Sequence, residues 1–360
     1  MKRVMKVVFL CAAFVFTTAE GSQPSSEERL GEKLFNDINL SINSNQSCES
    51  CHSLSTIKLP TEIKPGVFKL RKQAASGFVD PSNVRNGTAV ADGSIDRVFG
   101  SLNPPSIGYT AFSPEFHWDG ELFIGGQFWN GRAPNLIAQA KEPFLNPMEM
   151  AMPDQWSVIE RLQANRSYVY LFRHLYGIEL RKIKAGDAEV EEAFNAMAQA
   201  IASFERTATF NRFDSKFDYE AAGLTAYNES EQRGADLFDG TAQCGLCHST
   251  EGIDGDGSPA LLTDFSYDNL GVPPNPQIPG NPAFDAGLLG NPNLELVRDV
   301  ASSIDEIEGR QKVMSLRNIA LTPPYMHNWV FKTLEEVVHF YNTRDTLGPC
   351  EQPADADNPG

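Results

Sequence analysis

The feature that most constrains this chain is a pair of C-x-x-C-H motifs. The first is Cys48-Glu49-Ser50-Cys51-His52, and the second is Cys244-Gly245-Leu246-Cys247-His248. In this pattern two cysteine thiols are joined to the vinyl groups of a haem, and the histidine ligates its iron. A zinc site of four thiolates is the alternative for two C-x-x-C pairs, but it gives no reason for a histidine directly after each pair. The motifs therefore predict two covalently bound haem c groups.

A helix is expected just before each motif, which indicates an internal repeat. The segment Gly31-Glu32-Lys33-Leu34-Phe35 precedes the first motif, and Gly234-Ala235-Asp236-Leu237-Phe238 precedes the second. A repeat of helix and haem site predicts two cytochrome c-like units, and 360 residues are enough for two domains. The predicted organisation is a signal peptide, an N-terminal haem domain, a C-terminal haem domain and a flexible tail, over residues 1–22, 23–180, 181–349 and 350–360.

The first residues predict export from the cytoplasm. Met1–Lys6 is basic, Val7–Phe16 is apolar but too short to span a bilayer, and Thr17–Ala19 supplies small residues. We expect a periplasmic protein without membrane insertion after signal cleavage. Cys11 leaves with the signal, and Cys350 remains alone as a free thiol or an intermolecular bridge.

The formal charge of −17 argues against nucleic acid and anionic membrane surfaces as partners. It permits electrostatic steering of a basic electron-transfer partner.

The periodicity predicts a mainly α fold in which long loops wrap the cofactors. Residues 53–126 and 271–290 are rich in turn formers and are expected to be those loops. Residues 207–228 are the candidate crossing between domains. Apolar residues at helical spacing predict four main helices, after Ser25, over 154–176, over 190–204, and from Thr333 onward.

Three further segments stand out beside the two haem motifs. They are Phe128-Trp129-Asn130-Gly131-Arg132-Ala133, Asn146-Pro147-Met148-Glu149-Met150 and Leu316-Arg317-Asn318-Ile319-Ala320-Leu321-Thr322-Pro323-Pro324-Tyr325. Together with the haem motifs they resemble the di-haem cytochrome c peroxidase family, and within it the MauG-type branch. Asn130 stands where the family usually has Asp.

The resemblance implies different roles for the two haems. The haem at His52 would react with hydrogen peroxide, and the haem at His248 would be a six-coordinate electron-transfer centre. Trp129 would lie between them as a bridge for electrons. Glu149 and Gln139 match the family's distal carboxylate and amide, which serve proton movement between peroxide oxygens.

The resemblance also implies metal ligands. The second haem of the MauG-type branch has a tyrosine as distal ligand where typical peroxidases have methionine, and that position here is Tyr341. Met326 is the rival ligand. A calcium ion between the haems would be bound by Asn103, Thr322 and Pro324, which are oxygen donors suited to a hard cation. Arg132 and Arg317 are candidates for pairing with haem propionates.

Typical peroxidases carry a distal histidine in the loop before the residue matching Asn103, whereas this chain has no histidine between His52 and His117. The first haem is therefore predicted to be five-coordinate without reductive activation, although His117 remains a possible ligand.

The electron donor would be a redox protein or an oxidised residue of a partner protein. Members that mature methylamine dehydrogenase carry a surface tryptophan where this chain has Ala242. This difference makes methylamine dehydrogenase a less favoured substrate for this chain. The alternative function is a non-catalytic periplasmic di-haem electron-transfer cytochrome.

Overall fold

A computed structural model describes residues 23–54, 56–64, 67–74, 78–79, 91–252, 258–278, 285–293 and 306–344. The predicted signal peptide, Cys350 and the predicted tail lie outside these residues. Within the described ranges the structure is mainly α, as predicted. Its helices are α1 Ser26–Phe35, α2 Cys48–Cys51, α3 Leu136–Leu145, α4 Gln155–Ala164, α5 Arg166–Tyr176, α6 Glu189–Glu205, α7 Lys216–Ala221, α8 Glu229–Asp239 and α9 Leu334–Thr343.

The strands in the described ranges form four separate two-stranded antiparallel ladders. They pair β1 His52–Ser53 with β4 Phe78–Val79, β2 Thr56–Lys64 with β3 Val67–Ala74, β5 His117–Trp118 with β6 Phe123–Ile124, and β7 Tyr267–Asp268 with β8 Gln311–Lys312. The β2–β3 hairpin lies inside the region predicted to be loop, so that prediction was wrong for this stretch. The hairpin register shifts once, between Pro60 and Glu62.

The helix predicted over 154–176 is two helices. Asn165 ends α4 and caps α5, because its side-chain oxygen accepts from the Ser167 N–H at 3.0 Å. The other three predicted helices are present. Ser25 caps α1 with a capping box that includes Glu28, and Thr333 caps α9 with one that includes Glu336.

The main core is built by helices around α6. The small residue Gly31 lets α1 approach α6 closely, because a Cβ at this position would lie 1.9 Å from the Ala200 carbonyl oxygen. Leu30, Leu34 and Phe35 of α1 are buried in this contact. The core extends from Leu30 to Phe210 and thus includes helices on both sides of the predicted boundary at 180/181. That boundary stays a prediction.

Within the part of the chain that the structure describes, no helix is both long and apolar enough to cross a membrane.

Candidate haem and inter-haem sites

The first C-x-x-C-H motif borders a cavity of about 770 Å³. Cys48 and Cys51 bound the short helix α2, Cys48 packs against the main core, and Cys51 and His52 line the cavity. Burial lowers the pKa of His52 to about 4, so the imidazole is neutral, which is the form that binds a metal. Its Nδ1 is buried without a hydrogen-bond partner in the described structure. The cavity volume and the histidine at its wall fit a haem.

Gln139 and Glu149 line the same cavity as His52. Gln139 lies on α3, and Glu149 lies in the turn that follows this helix. The Glu149 carboxylate accepts from Asn146 Nδ2 at 2.6 Å. Burial raises the pKa of Glu149, while the Asn146 bond and Arg132 lower it. A carboxyl group with a raised pKa at a cavity wall is suited to carry a proton.

His117 does not line this cavity. It is exposed on β5, and its Nδ1 lies 2.7 Å from the Glu115 carbonyl oxygen.

Trp129 lies at the tip of a tight loop closed by the bridge between Gln127 and Ala133. Gly131 in this loop has φ +68°, and a Cβ there would lie 2.3 Å from the Tyr267 hydroxyl. Trp129 Nε1–H donates to the Asn103 carbonyl at 2.7 Å. The indole lines both the large cavity and a second cavity of about 100 Å³. Trp129 therefore borders two separate spaces.

The smaller cavity gathers the predicted calcium ligands Asn103, Thr322 and Pro324. Asn103 Nδ2 donates to the carbonyl oxygens of Pro324 at 3.2 Å and Met326 at 3.1 Å. The Asn103 Oδ1 is buried and has no partner among the described residues. An unsatisfied amide oxygen beside backbone carbonyls fits a hard cation such as calcium.

The second motif follows α8, as the repeat predicted, and begins with a short 3₁₀ helix, Cys244–Leu246. His248 Nδ1 lies 2.9 Å from the Leu262 carbonyl oxygen. This bond places the proton on Nδ1 and leaves Nε2 to bind a metal. The arrangement fits a ligating histidine.

Tyr341 lies on α9 and is partly exposed. Its pKa is raised to about 12, first by burial and further by the nearby Cys244 and Cys247, while Arg344 lowers it. The fold thus brings Tyr341 close to the second motif. Met326, the rival ligand, lines the smaller cavity instead.

The two arginines proposed for propionates are engaged by carboxylates. Arg132 Nε donates to Glu142 at 2.7 Å, and its guanidinium lies 3.6 Å from the centre of the Phe128 ring. Arg317 donates to both oxygens of Asp218, at 2.9 and 2.8 Å.

The structure also adds two residues that the sequence pattern did not reveal. The His327 ring lies 6.2 Å from the Trp129 ring, centre to centre. Lys312 is a buried lysine that lines the smaller cavity.

The four motif cysteines form no common cluster, because no group of three or more His, Cys, Asp or Glu side chains in the described ranges is placed to hold a metal ion. This argues against a shared zinc site.

This chain is similar in sequence and fold to known di-haem proteins. The model of the family described as di-haem cytochrome c peroxidase matches residues 25–226. The methylamine utilization protein MauG of Paracoccus denitrificans is 38% identical over 92% of this chain and 79% of its own length. The cytochrome-c peroxidase IdrP2 of a Pseudomonas strain is 31% identical over 93% of this chain and 78% of its own. The solved diheme peroxidase BthA of Burkholderia thailandensis is 26% identical, with a TM-score of 0.73 over 89% of this chain and 73% of its own.

Proposed function

This chain belongs to the di-haem cytochrome c peroxidase family, and from that premise we propose that it reduces hydrogen peroxide at a haem held by Cys48, Cys51 and His52. A second haem, held by Cys244, Cys247 and His248, serves electron transfer. Peroxide takes up two electrons and two protons and leaves as two waters. When bound, the first haem supplies the open iron and the electrons that break the O–O bond.

The observation that carries this proposal is the cavity of about 770 Å³ that His52, Gln139 and Glu149 all border. A ligand histidine, an amide and a carboxyl around one space are the parts that peroxide cleavage needs. A pure electron carrier needs none of these distal groups.

In this proposal Glu149 takes a proton from one peroxide oxygen and returns it to the other, which leaves as water. Its raised pKa makes both protonation states accessible during the reaction. Asn146 holds the carboxylate in place, and Gln139 orients peroxide by hydrogen bonding.

Trp129 carries oxidising equivalents between the two haem sites. The support is its position on the wall of the cavity that His52 lines and its anchoring to Asn103. Tyr341 would hold the iron of the second haem together with His248, and a phenolate ligand would favour high oxidation states of iron. The support is its closeness to Cys244 and Cys247. Asn103, Thr322 and Pro324 would hold a calcium ion in the smaller cavity, which would join the two chain segments that carry them.

The electrons come from a redox protein or from an oxidised residue of a protein substrate. MauG, a relative by sequence, is named for methylamine utilization. Ala242 is exposed at the position where the MauG-type branch has its surface tryptophan, so a different protein substrate or a soluble donor is favoured here.

The test is a peroxide titration of the diferric holoprotein followed by stopped-flow spectroscopy. The wild type should react, and Glu149→Gln should react about 10²–10⁴-fold more slowly because the proton carrier is lost. Glu160→Gln is the matched control, since Glu160 is an exposed carboxylate on α4 that does not line the cavity. Two low-spin haems that ignore peroxide would favour the electron-carrier alternative.

A further inference from the structure

Lys312 is a buried lysine that pairs with no carboxylate among the residues that the structure describes. It lies on β8 and is 6% exposed. Its Nζ donates to Ser113 Oγ at 2.7 Å and to the Gly126 carbonyl, and lies 5.2 Å from the centre of the Phe265 ring. No ion pair to it occurs among the residues that the structure describes. A buried ammonium held only by neutral groups is costly, so its proton is weakly held.

The location of Lys312 connects it to the proposed relay. Its backbone N–H donates to the Trp129 carbonyl at 2.8 Å, and both side chains line the cavity of about 100 Å³. Trp129 Nε1–H donates to a peptide carbonyl, which is not a base. An indole oxidised at this position therefore keeps its proton and carries a positive charge. A second positive charge on Lys312 opposes that charge in a low-dielectric environment.

The charged and titratable groups near Lys312 and Trp129 come from several segments of the chain. A calcium ion at Asn103, Thr322 and Pro324 would share the smaller cavity with Lys312, and its positive charge would oppose protonation of Lys312 as burial does. Burial lowers the pKa of His327, whose ring lies beside Trp129, and so favours its neutral form. Arg317 lines the same cavity but is paired with Asp218. The pKa values of the phenols of Tyr109 and Tyr325 are raised by burial, so both are uncharged at neutral pH. On the neighbouring segments lie groups that do not shift the pKa of Lys312, namely Asp268, Asp285, Arg310 and Tyr267. Burial alone lowers this pKa to about 7.

We propose that Lys312 is a titratable charge that controls how readily an oxidising equivalent is held at Trp129 and shared with the two proposed haem sites. Protonated Lys312 raises the reduction potentials of these groups and keeps the relay reduced. Neutral Lys312 lowers these reduction potentials, so that the oxidising equivalent is shared between the two haem sites through Trp129. Sharing between the two sites is therefore favoured on the alkaline side of neutrality. The proposal rests on the relay function of Trp129 proposed above.

The direct test measures the reduction potentials of both haems by spectroelectrochemistry at pH 6 and pH 8, without peroxide. The wild type should show a lower potential at pH 8 for at least one haem. Lys312→Met, which has no charge, should show at both pH values the haem potentials that the wild type shows at pH 8. Lys312→Arg, which stays charged, should show at both pH values the potentials that the wild type shows at pH 6. Lys182→Met removes an exposed lysine far from the relay. Its haem potentials should differ between pH 6 and pH 8 as much as those of the wild type.

If the haem potentials of Lys312→Met differ between pH 6 and pH 8 as much as those of the wild type, the proposal is overturned. If Lys312→Arg does not fold because the site is too tight, the wild type and Lys312→Met decide alone. Since no peroxide is used, the two proposals fail separately. A protein that ignores peroxide but shows the Lys312 effect refutes only the peroxidase function, whereas a peroxidase without the effect refutes only the role of Lys312.

An independent readout is the free energy of unfolding of the holoprotein as a function of pH. With a pKa of about 7 in the folded state against the ordinary 10.5, folded Lys312 binds fewer protons than unfolded Lys312 between these values. Stability must therefore rise with pH across this window. The difference in unfolding free energy between the wild type and Lys312→Met should increase from pH 7 to pH 10 in guanidinium titrations. An unchanged difference would show that Lys312 does not titrate in the fold.

Discussion

Trp129 is held at three points, through its indole N–H by Asn103, through its carbonyl by Lys312, and through the Gly131 turn of its own loop. These contacts come from distant parts of the chain and fix the ring on the walls of two cavities. A ring held this firmly does not reorganise when it gains or loses an electron, which suits a relay.

Replacing Trp129 with Phe should preserve peroxide reaction at the first site and slow electron transfer to the second. We expect a fall of about tenfold or more, which corresponds to about 1.4 kcal/mol in the barrier. Double-mixing stopped-flow spectroscopy separates the two steps. The control is Trp329→Phe, since Trp329 is fully buried and its indole N–H has no partner in the described structure. Equal slowing in both variants would contradict a specific role for Trp129.

Tyr341 should be required for the spectrum of the second haem. Tyr341→Phe keeps the ring but removes the ligand oxygen, so this haem should lose its low-spin six-coordinate signature in electron paramagnetic resonance. The first haem should keep its spectrum. Tyr170→Phe is the control, because Tyr170 is an exposed tyrosine on α5. An unchanged second-haem spectrum in Tyr341→Phe would remove Tyr341 as a ligand.

At the level of the elements, the helices before the two motifs have the same sequence pattern but different packing. Gly31 of α1 lies against the Ala200 backbone of α6, whereas nothing lies within 4 Å of a Cβ at Gly234 of α8. α1 is therefore part of the main core, and α8 is exposed on this face. The sequence repeat predicts both helices but not this asymmetry.

This asymmetry predicts opposite effects for the same substitution. Gly31→Ala should destabilise the protein by about 1–3 kcal/mol, because a methyl group must displace backbone. Gly234→Ala should be neutral or stabilising by about 0.5–1 kcal/mol, since alanine is favoured within helices. Guanidinium unfolding of both holoproteins measures the difference. Similar losses in both variants would contradict the packing difference.

The errors in the predicted elements have identifiable physical causes. The apolar stripe of the predicted helix over 154–176 continues at helical spacing across Asn165, so periodicity could not reveal that this side chain caps a second helix. The β2–β3 hairpin was missed because Pro60 and many polar residues mask strand alternation. The helices α1, α6 and α9 were predicted because strong caps or long apolar stripes mark them.

At the scale of the whole molecule, the site combines residues that local patterns can identify with residues that they cannot. The haem motifs are visible in the sequence, and family register predicted Gln139 and Glu149, which the fold brings to one cavity with His52. Lys312 could not be predicted, because its burial depends on Ser113, Gly126 and Phe265, which are distant in the chain. Burial made by tertiary contacts leaves no local signal.

The smaller cavity joins early and late segments of the chain. Asn103 precedes the Trp129 loop, and Pro324 precedes α9, yet the Asn103 amide donates to the Pro324 carbonyl. A calcium ion bound to the unsatisfied Asn103 Oδ1 would connect these two segments. Its loss should therefore affect the stability of the whole molecule rather than one element.

Removing calcium with EGTA should lower the Tm of the holoprotein, because an ion bound only to the folded state at 100 times its Kd contributes about 2.7 kcal/mol. Re-addition of calcium should restore the Tm, and magnesium should restore it poorly because it requires a tighter octahedral site. Asn103→Ala should have a lower Tm that EGTA no longer changes. Asn293→Ala is the control, since Asn293 is exposed and its side-chain amide donates to the Arg132 carbonyl at 3.2 Å. A wild-type Tm unaffected by EGTA, with no calcium found by elemental analysis, would mean that Asn103 serves only to hold the Pro324 backbone.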